Sequence, residues 1–382
     1  MELTLPPPRK ILLMYITQVS GHRQATMAIQ RSLRQIMPDA KIKSMNAFSY
    51  TYPILEKVVN RAYMGVIKRT PKLWDYLYDN PKVVKRSERI KNFLHKRIYW
   101  KLEALFNEFQ PDTVVCTQAF PCGMVADFKR THQIPVHLIG VLTDHAPHSF
   151  WLNDGVDYYI VPSQDAKNRF LKQGIPEDMI KVFGIPIHLK FSSKGNAEAA
   201  RKKLGLDPHL PTILIMGGGQ GLGPIKEVVK SLLKSSMKMQ LIVIAGTNQK
   251  LINWFKKSSS RFQQKLIYFE YTNNVNELMD AATLLVTKPG GITTAEALAK
   301  GLPMVIINPI PGQEMQNTQF LVQKGIGIHI DNMDNVGKQI EGILKHPEQL
   351  KAMSMAALAQ GKPNAALDVA QLIHQLPMPA VV

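Results

Sequence analysis

Apolar residues in this chain fall into short unbroken runs, each followed by a stretch with helical spacing. Ile11–Ile16 is a continuous apolar run, as buried parallel strands require. Thr113–Cys116, Val136–Leu142 and Tyr158–Val161 are further strands, and residues 24–37 are helix-like, with a moderate periodicity of Met27, Ala28, Arg31 and Ile36. The alternation begins again at Thr212–Met216. Ile225, Val228, Val229, Leu232 and Leu233 then repeat at i, i+3, i+4, i+7 and i+8, an amphipathic helix. Leu241–Ala245, Leu266–Phe269, Leu284–Thr287 and Pro303–Ile307 supply its later strands. Strands that alternate with helices form a doubly wound parallel sheet, and the pattern occurs twice. Between the two series, residues 184–210 are rich in Gly, Pro, Ser and Asn. The expected division is a first lobe over 1–190, a linker over 191–210 and a second lobe over 211–382.

A length of 382 residues suits two such α/β lobes, and 45% hydrophobic with 20% charged residues is globular composition. Two cysteines, Cys116 and Cys122, exclude a disulfide framework, and no metal-ligand spacing appears. A reducing, cytoplasmic setting is expected. No apolar run is long enough to span a bilayer, and Met1–Lys10 lacks the features of a secretory leader. Net charge changes the picture: it is +18, which calls for an anionic partner. Residues 41–101 hold fifteen Lys and Arg against four Asp and Glu, and the stretch 48–101 interleaves them with aromatics such as Tyr63, Trp74, Tyr76 and Trp100. A basic-aromatic mixture suits a bilayer interface or a single-stranded nucleic acid; a solvated helix face accounts for the charge alone. The concentration of charge in one segment, with no recognised nucleic-acid motif, weighs against nucleic acid.

Candidate chemistry sits where open α/β sheets place ligands, just beyond strand ends. Gly217-Gly218-Gly219 and the following glycines to Gly223 lie between a strand and a helix, where backbone amides can approach phosphate. Neither the dinucleotide nor the P-loop pattern is met, and a tight turn explains the cluster equally well. In Thr287-Lys-Pro-Gly-Gly-Ile-Thr-Thr-Ala-Glu-Ala-Leu298, Gly290 and Gly291 make a turn. Thr293 or Thr294 can cap a helix, and Glu296 in the first turn completes a capping box or accepts from ribose hydroxyls. His22 follows the first strand and can take a proton from a hydroxyl near neutral pH, or be a capping or solvent histidine. Asp144, His145 and His148 form a polar cluster beside Phe150 and Trp151. Gln313 and Glu314 can bind sugar hydroxyls, or be solvated residues of a proline-stiffened loop.

Together these motifs resemble the diacylglycerol glycosyltransferase family, which comprises plant monogalactosyldiacylglycerol synthases and bacterial processive diacylglycerol glucosyltransferases. The matching pieces are Ser20-Gly-His22, Thr143-Asp144 with His148 and Trp151, Val156-Asp157-x-Tyr159, Gly184-Ile-Pro-Ile187, Thr287-Lys-Pro-Gly-Gly-Ile-Thr293 and Pro311-Gly-Gln-Glu314. The second lobe is also similar to the peptidoglycan GlcNAc transferase. The resemblance implies a GT-B fold of two Rossmann-like lobes facing a cleft, a UDP-sugar donor, no catalytic metal, no tightly bound cofactor, and inversion at the anomeric carbon. It implies His22 as base with Asp144 beside it. Gly217, Gly218, Gly219, Gly290, Gly291 and Thr293 would face the diphosphate, Glu296 the ribose, and Gln313 and Glu314 the sugar. Trp74, Lys82, Lys85, Arg86, Arg89, His148 and Trp151 would meet the lipid acceptor and an anionic membrane surface, giving peripheral attachment on the cytoplasmic side. A peptidoglycan-type GlcNAc transferase, another sugar-nucleotide enzyme of this fold, and a nucleic-acid-binding protein stand as alternatives. Ser20 departs from the further glycine of many members, and His145 from the aromatic of bacterial ones.

Overall fold

The computed structural model describes residues 8–17, 20–51, 100–145, 148–193, 195–258 and 264–379. The chain divides into two units, residues 1–189 with 364–382, and residues 190–363.

The first unit is built on a six-stranded sheet in the order β2-β1-β3-β4-β5-β6, parallel throughout. Its strands are β1 (Lys10–Tyr15), β2 (Lys41–Asn46), β3 (Thr113–Cys116), β4 (His137–Val141), β5 (Tyr158–Ile160) and β6 (Ile180–Lys181). Alternation along β1 sends Ile11 and Leu13 to one face and Leu12 and Met14 to the other, and each face has its own core. Helix Ala119–His132 covers the Leu12 face through Met124, Val125 and Phe128. Helix Gly21–Ile36 covers the other through Ile29 and Leu33. Ser20 caps it, its hydroxyl accepting from the Arg23 amide, so the helix begins at Gly21, three residues ahead of the expected start at 24.

A last helix, Ala365–Gln375, packs on that first helix and adds Val369, Ala370 and Ile373 to the same core. Arg9 ties its end down by donating to the carbonyls of Ile373 and Leu376 while pairing with Asp112. The expected lobe limits of 1–190 and 211–382 therefore differ from the observed ones at both ends. The final helix belongs to the first unit, because its apolar face completes that core. The expected linker 191–210 belongs to the second, where helix Ala197–Lys203 packs on helix Val275–Ala281 and Arg201 donates to the Ala281 carbonyl.

The second unit has the order β12-β11-β10-β7-β8-β9, again all parallel. Its strands are β7 (Thr212–Met216), β8 (Gln240–Ile244), β9 (Lys265–Phe269), β10 (Leu284–Thr287), β11 (Met304–Ile307) and β12 (Gly327–Ile330). Helices Ile225–Leu232, Gln249–Ser258 and Val336–Leu344 share one core with Ile213, Ile215, Leu241 and Val243. Among the described residues no helix is long and apolar enough to cross a membrane.

Each sheet reverses its strand order once: between β1 and β3, and between β7 and β10. At such a reversal the loops diverge to opposite faces and leave a crevice at the carboxyl ends.

Because Ile373 is fully buried in the first unit's core, Ile373→Ala should lower that unit's stability by about 2–4 kcal/mol. Denaturant unfolding followed by a probe in the first unit checks this; unchanged stability would separate the last helix from that core.

Candidate functional site

The reversal in the first sheet holds His22, the second residue of helix Gly21–Ile36, beside the exits of β3 and β4. Its Nδ1 lies 2.8 Å from the Thr117 carbonyl oxygen and 3.0 Å from Thr143 Oγ1. A carbonyl only accepts, so Nδ1 carries the proton and Nε2 keeps its lone pair. Thr117 is itself fixed: its hydroxyl donates to the His22 carbonyl at 3.0 Å and lies 3.0 Å from Thr26 Oγ1. Burial lowers the His22 pKa to about 4, against the opposing Thr117 hydrogen bond. The ring is therefore neutral at physiological pH, with one nitrogen ready to accept a proton. Thr17, just after β1, has a left-handed φ of 56°, a strained backbone at the same loop.

The reversal in the second sheet brings two glycine turns together. After β7, a Cβ on Gly217 would lie 1.9 Å from the Leu222 carbonyl oxygen, and one on Gly221 1.9 Å from that of Ala245. Gly218 has φ of 68° and receives the Gly221 amide at 3.0 Å. Only glycine folds the loop this tightly. After β10, helix Gly291–Lys300 begins directly at the turn with Gly290 as its cap. The first amides of a helix have no intrahelical acceptor, so those of Gly291, Ile292 and Thr293 are available to an anion.

Lys288 stands between the two turns. Its Cε is 3.7 Å from where a Gly218 Cβ would be, and its Nζ 3.8 Å from the same point at Gly290. Nζ pairs with Glu314 Oε1, while Glu314 Oε2 accepts the Ile310 amide at 3.0 Å. Asn317, one turn further along helix Gln313–Gln323, donates to the Pro289 carbonyl at 2.9 Å. Lys288 is not among the residues that the sequence motifs single out. Its signal is there in retrospect: a lone cation between a strand end and two glycines.

Several expectations are corrected. Thr293 and Thr294 do not cap the helix, and Glu296 is in its second turn, so no capping box forms; the two glycines let the helix start earlier. Thr294 instead bonds the Gly291 carbonyl. Glu296 is half-buried, and desolvation raises its pKa to about 8, with Lys190 opposing. Glu314, expected at the sugar, is buried and has both oxygens engaged within its own lobe. Gln313, beside it, is half-buried. Trp151, expected at the membrane, is 5% exposed and packs in the first unit's core against Gly140. His148 is half-buried, its ring edge-on to Phe150 at 5.7 Å. Asp144 follows Thr143 at the β4 exit and is half-buried; the groups the structure puts on His22 Nδ1 are those of Thr117 and Thr143. His145 is buried and held neutral, its pKa lowered to about 4 by burial.

Trp74, Lys82, Lys85, Arg86 and Arg89 lie outside the described residues. At the edges of their segment, Phe48 stacks on Phe120 at 4.6 Å and Tyr50 donates to the Lys101 carbonyl, so these two rings serve packing. Trp100 is 59% exposed, with the Lys101 ammonium over its ring at 5.4 Å. Among the described residues no cluster of His, Cys, Asp and Glu has the makings of a metal site.

Known proteins share the sequence and the fold of this chain. Residues 22–187 match the monogalactosyldiacylglycerol (MGDG) synthase family, and residues 212–371 the glycosyltransferase family 28 C-terminal domain. A processive diacylglycerol beta-glucosyltransferase of Staphylococcus carnosus is 29% identical over 91% of this chain and 87% of its own. One from Bacillus cereus is 28% identical over 95% and 93%. Among solved structures, MurG of Acinetobacter baumannii superposes with a TM-score of 0.65 at 14% identity, over 97% of this chain and all of its own. The UDP-GlcNAc 2-epimerase of Neisseria meningitidis, bound to UDP-GlcNAc, gives 0.58 at 15%, over 96% and 100%. These likenesses establish two Rossmann-like lobes of the GT-B type. With an MGDG synthase domain followed by a glycosyltransferase family 28 C-terminal domain, this chain is a glycosyltransferase that is similar over most of its length to processive diacylglycerol glucosyltransferases.

Proposed function

We infer that the chain transfers a hexose from a UDP-sugar to a lipid acceptor, diacylglycerol, with inversion and without a tightly bound cofactor. The observation that carries this reading is the pair of glycine turns joined by Lys288 in one lobe, with a neutral, oriented histidine at the strand reversal of the other. The first suits a diphosphate, and the second suits a hydroxyl. Relatives named processive diacylglycerol beta-glucosyltransferases support the acceptor.

His22 Nε2 takes the proton of the acceptor hydroxyl as its oxygen attacks the anomeric carbon. The Thr117 carbonyl holds the ring by its N–H and favours the imidazolium as it forms. On the other side of the anomeric carbon the bond to UDP breaks. The amides at Gly291–Thr293, the glycine turn at 217–219 and the Lys288 ammonium stabilise the charge that gathers on the departing diphosphate. Glu296 accepts from the ribose hydroxyls, and Gln313 from the sugar. Glu314 acts by holding Lys288 rather than by touching the donor. The basic-aromatic region over 41–101, which ends on the exposed Trp100 with the Lys101 ammonium over its ring, brings the protein to an anionic membrane surface from the cytoplasmic side.

Incubation with UDP-glucose, UDP-galactose or UDP-GlcNAc and diacylglycerol, followed by product mass, tests the reading directly. A glycosylated diacylglycerol is expected from at least one donor, and none from any would overturn it. In the same assay His22→Ala should cut turnover by about 10²–10⁴ with donor affinity unchanged.

Glu296 sets a pH dependence. Its empty-site pKa is raised to about 8, and ribose binding calls for the carboxylate, so a proton leaves on binding. Affinity for uridine should therefore tighten as pH rises from about 6 to about 8, by up to about tenfold per unit, then level off. Calorimetric titration should show this slope in the wild type and a flat profile in Glu296→Gln. A slope that survives the substitution would remove Glu296 from the ribose site.

Lys288 separates the diphosphate from the nucleoside. Lys288→Met combined with Glu314→Gln, which avoids a buried unpaired carboxylate, should weaken UDP binding by about 1.5–3 kcal/mol. Uridine binding should stay as it was. Equal losses for both ligands would point to a distorted lobe instead.

A further inference from the structure

The positive charge of this chain has a second centre that the segment 41–101 does not contain. Residues 224–265 hold nine Lys and Arg against a single acid, Glu227. The structure gathers five of these lysines at one end of the second unit's sheet. Lys234 follows helix Ile225–Leu232, and Lys256 and Lys257 are in the last turn of helix Gln249–Ser258. Lys238 stands just before β8, and Lys265 opens β9, directly opposite Gln240 in the ladder. All five are exposed. Gln264, next to Lys265, donates its amide to the carbonyls of Leu232, Ser235 and Met237 at 3.1–3.4 Å. The start of the edge strand is thereby tied to the loop that carries Lys234 and Lys238.

Local structure explains only part of this arrangement. Lys256 and Lys257 complement the negative end of their helix, and Lys256 pairs with Glu270 at 3.2 Å. A lysine at the start of an edge strand also discourages unwanted strand pairing. Lys234, just past its own helix, shares the first of these reasons, and Lys238 has neither. Among the described residues, Lys256 is the one member of the five with an acidic partner. Like charges held side by side repel, and the repulsion is relieved when an anionic surface supplies the missing counter-charge.

We propose that this lysine cluster, Lys234, Lys238, Lys256, Lys257 and Lys265, is a second membrane-docking surface, on the donor-binding lobe, and that its partner is the phosphate layer of an anionic bilayer. The proposal rests on the lipid-transferase reading above for the choice of a membrane. The aromatic residues of this edge favour lipid phosphate over nucleic acid. Phe255 is buried and stacks on Tyr268 at 4.9 Å within the core, and the half-buried Trp254 lies under Lys226 at 5.3 Å. Among the described residues no exposed ring stands beside the five lysines to stack a base, as single-stranded nucleic acid recognition uses. A headgroup layer asks only for a field of ammonium groups.

The test uses the full chain with Lys234, Lys238, Lys257 and Lys265 all changed to Ser, leaving the Lys256–Glu270 pair in place. Partition onto phosphatidylcholine vesicles containing phosphatidylglycerol should fall by about tenfold or more, and an all-arginine variant should keep it. UDP affinity should match the wild type, showing that the lobe is folded. A second measurement is independent of that variant. The native cysteines, Cys116 and Cys122, are buried, so Lys238→Cys can carry a single environment-sensitive dye. Its emission should shift to the blue with anionic vesicles and stay constant with neutral ones. Wild-type partition in the serine variant, or a dye that ignores anionic vesicles, overturns the proposal. Loss of short RNA binding with vesicle binding intact would reassign the surface to nucleic acid. Failure of the transferase reading shows separately, as absence of glycolipid product from the wild type in detergent-dispersed diacylglycerol.

Discussion

Parallel pairing is the constraint on which the rest depends. In a parallel sheet every strand points the same way, so every loop that follows a strand gathers along one edge. Each unit of this protein reverses its strand order once, and there the first helices turn to opposite faces. His22, Thr117 and Thr143 are far apart in sequence, yet they leave β1, β3 and β4 side by side. Gly217–Gly219 and Lys288–Gly291 meet because β7 and β10 are ladder neighbours, Met216 opposite Thr287. The chemistry is assembled by the backbone ladder, and the side chains need only occupy the exits.

The same constraint decides what could be read from the sequence. Strands buried on both faces, such as Thr113–Cys116 and Thr212–Met216, are unbroken apolar runs and were legible to the residue. β2 was not. Lys-Ile-Lys-Ser-Met-Asn on a sheet edge is half-exposed along most of its length and reads as a polar loop. β6 and β12 also lie on edges and are two and four residues long. The glycine turns and His22 were visible because turn chemistry is local. The Lys288–Glu314 pair was hidden, since it joins two loops through space. Trp151 misled for a physical reason: an aromatic beside polar loop residues looks the same whether it faces lipid or fills a core beneath Gly140.

The two sites treat charge in opposite ways. Around His22, burial keeps the imidazole neutral, and one backbone carbonyl selects which nitrogen carries the proton. Around Lys288, a cation and an anion sit partly buried together, so the site carries little net charge of its own. An anion arriving at these turns would meet Lys288 already paired with Glu314 rather than a bare positive hole.

The return of helix Ala365–Gln375 to the first unit makes the second unit, in effect, an insertion within the first. During synthesis the ribosome completes β1 to β6 long before the helix that seals Ile11, Leu13, Ile29 and Leu33. At ~5–20 residues per second the wait is on the order of ten to forty seconds. For that interval the nascent first lobe carries an open apolar groove, while the donor-binding lobe already has all its parts. The order of maturation is therefore the reverse of the order of synthesis: the lobe made second is finished first. The apolar face of helix Gly21–Ile36, the helix that carries His22, is covered only when the last helix has docked.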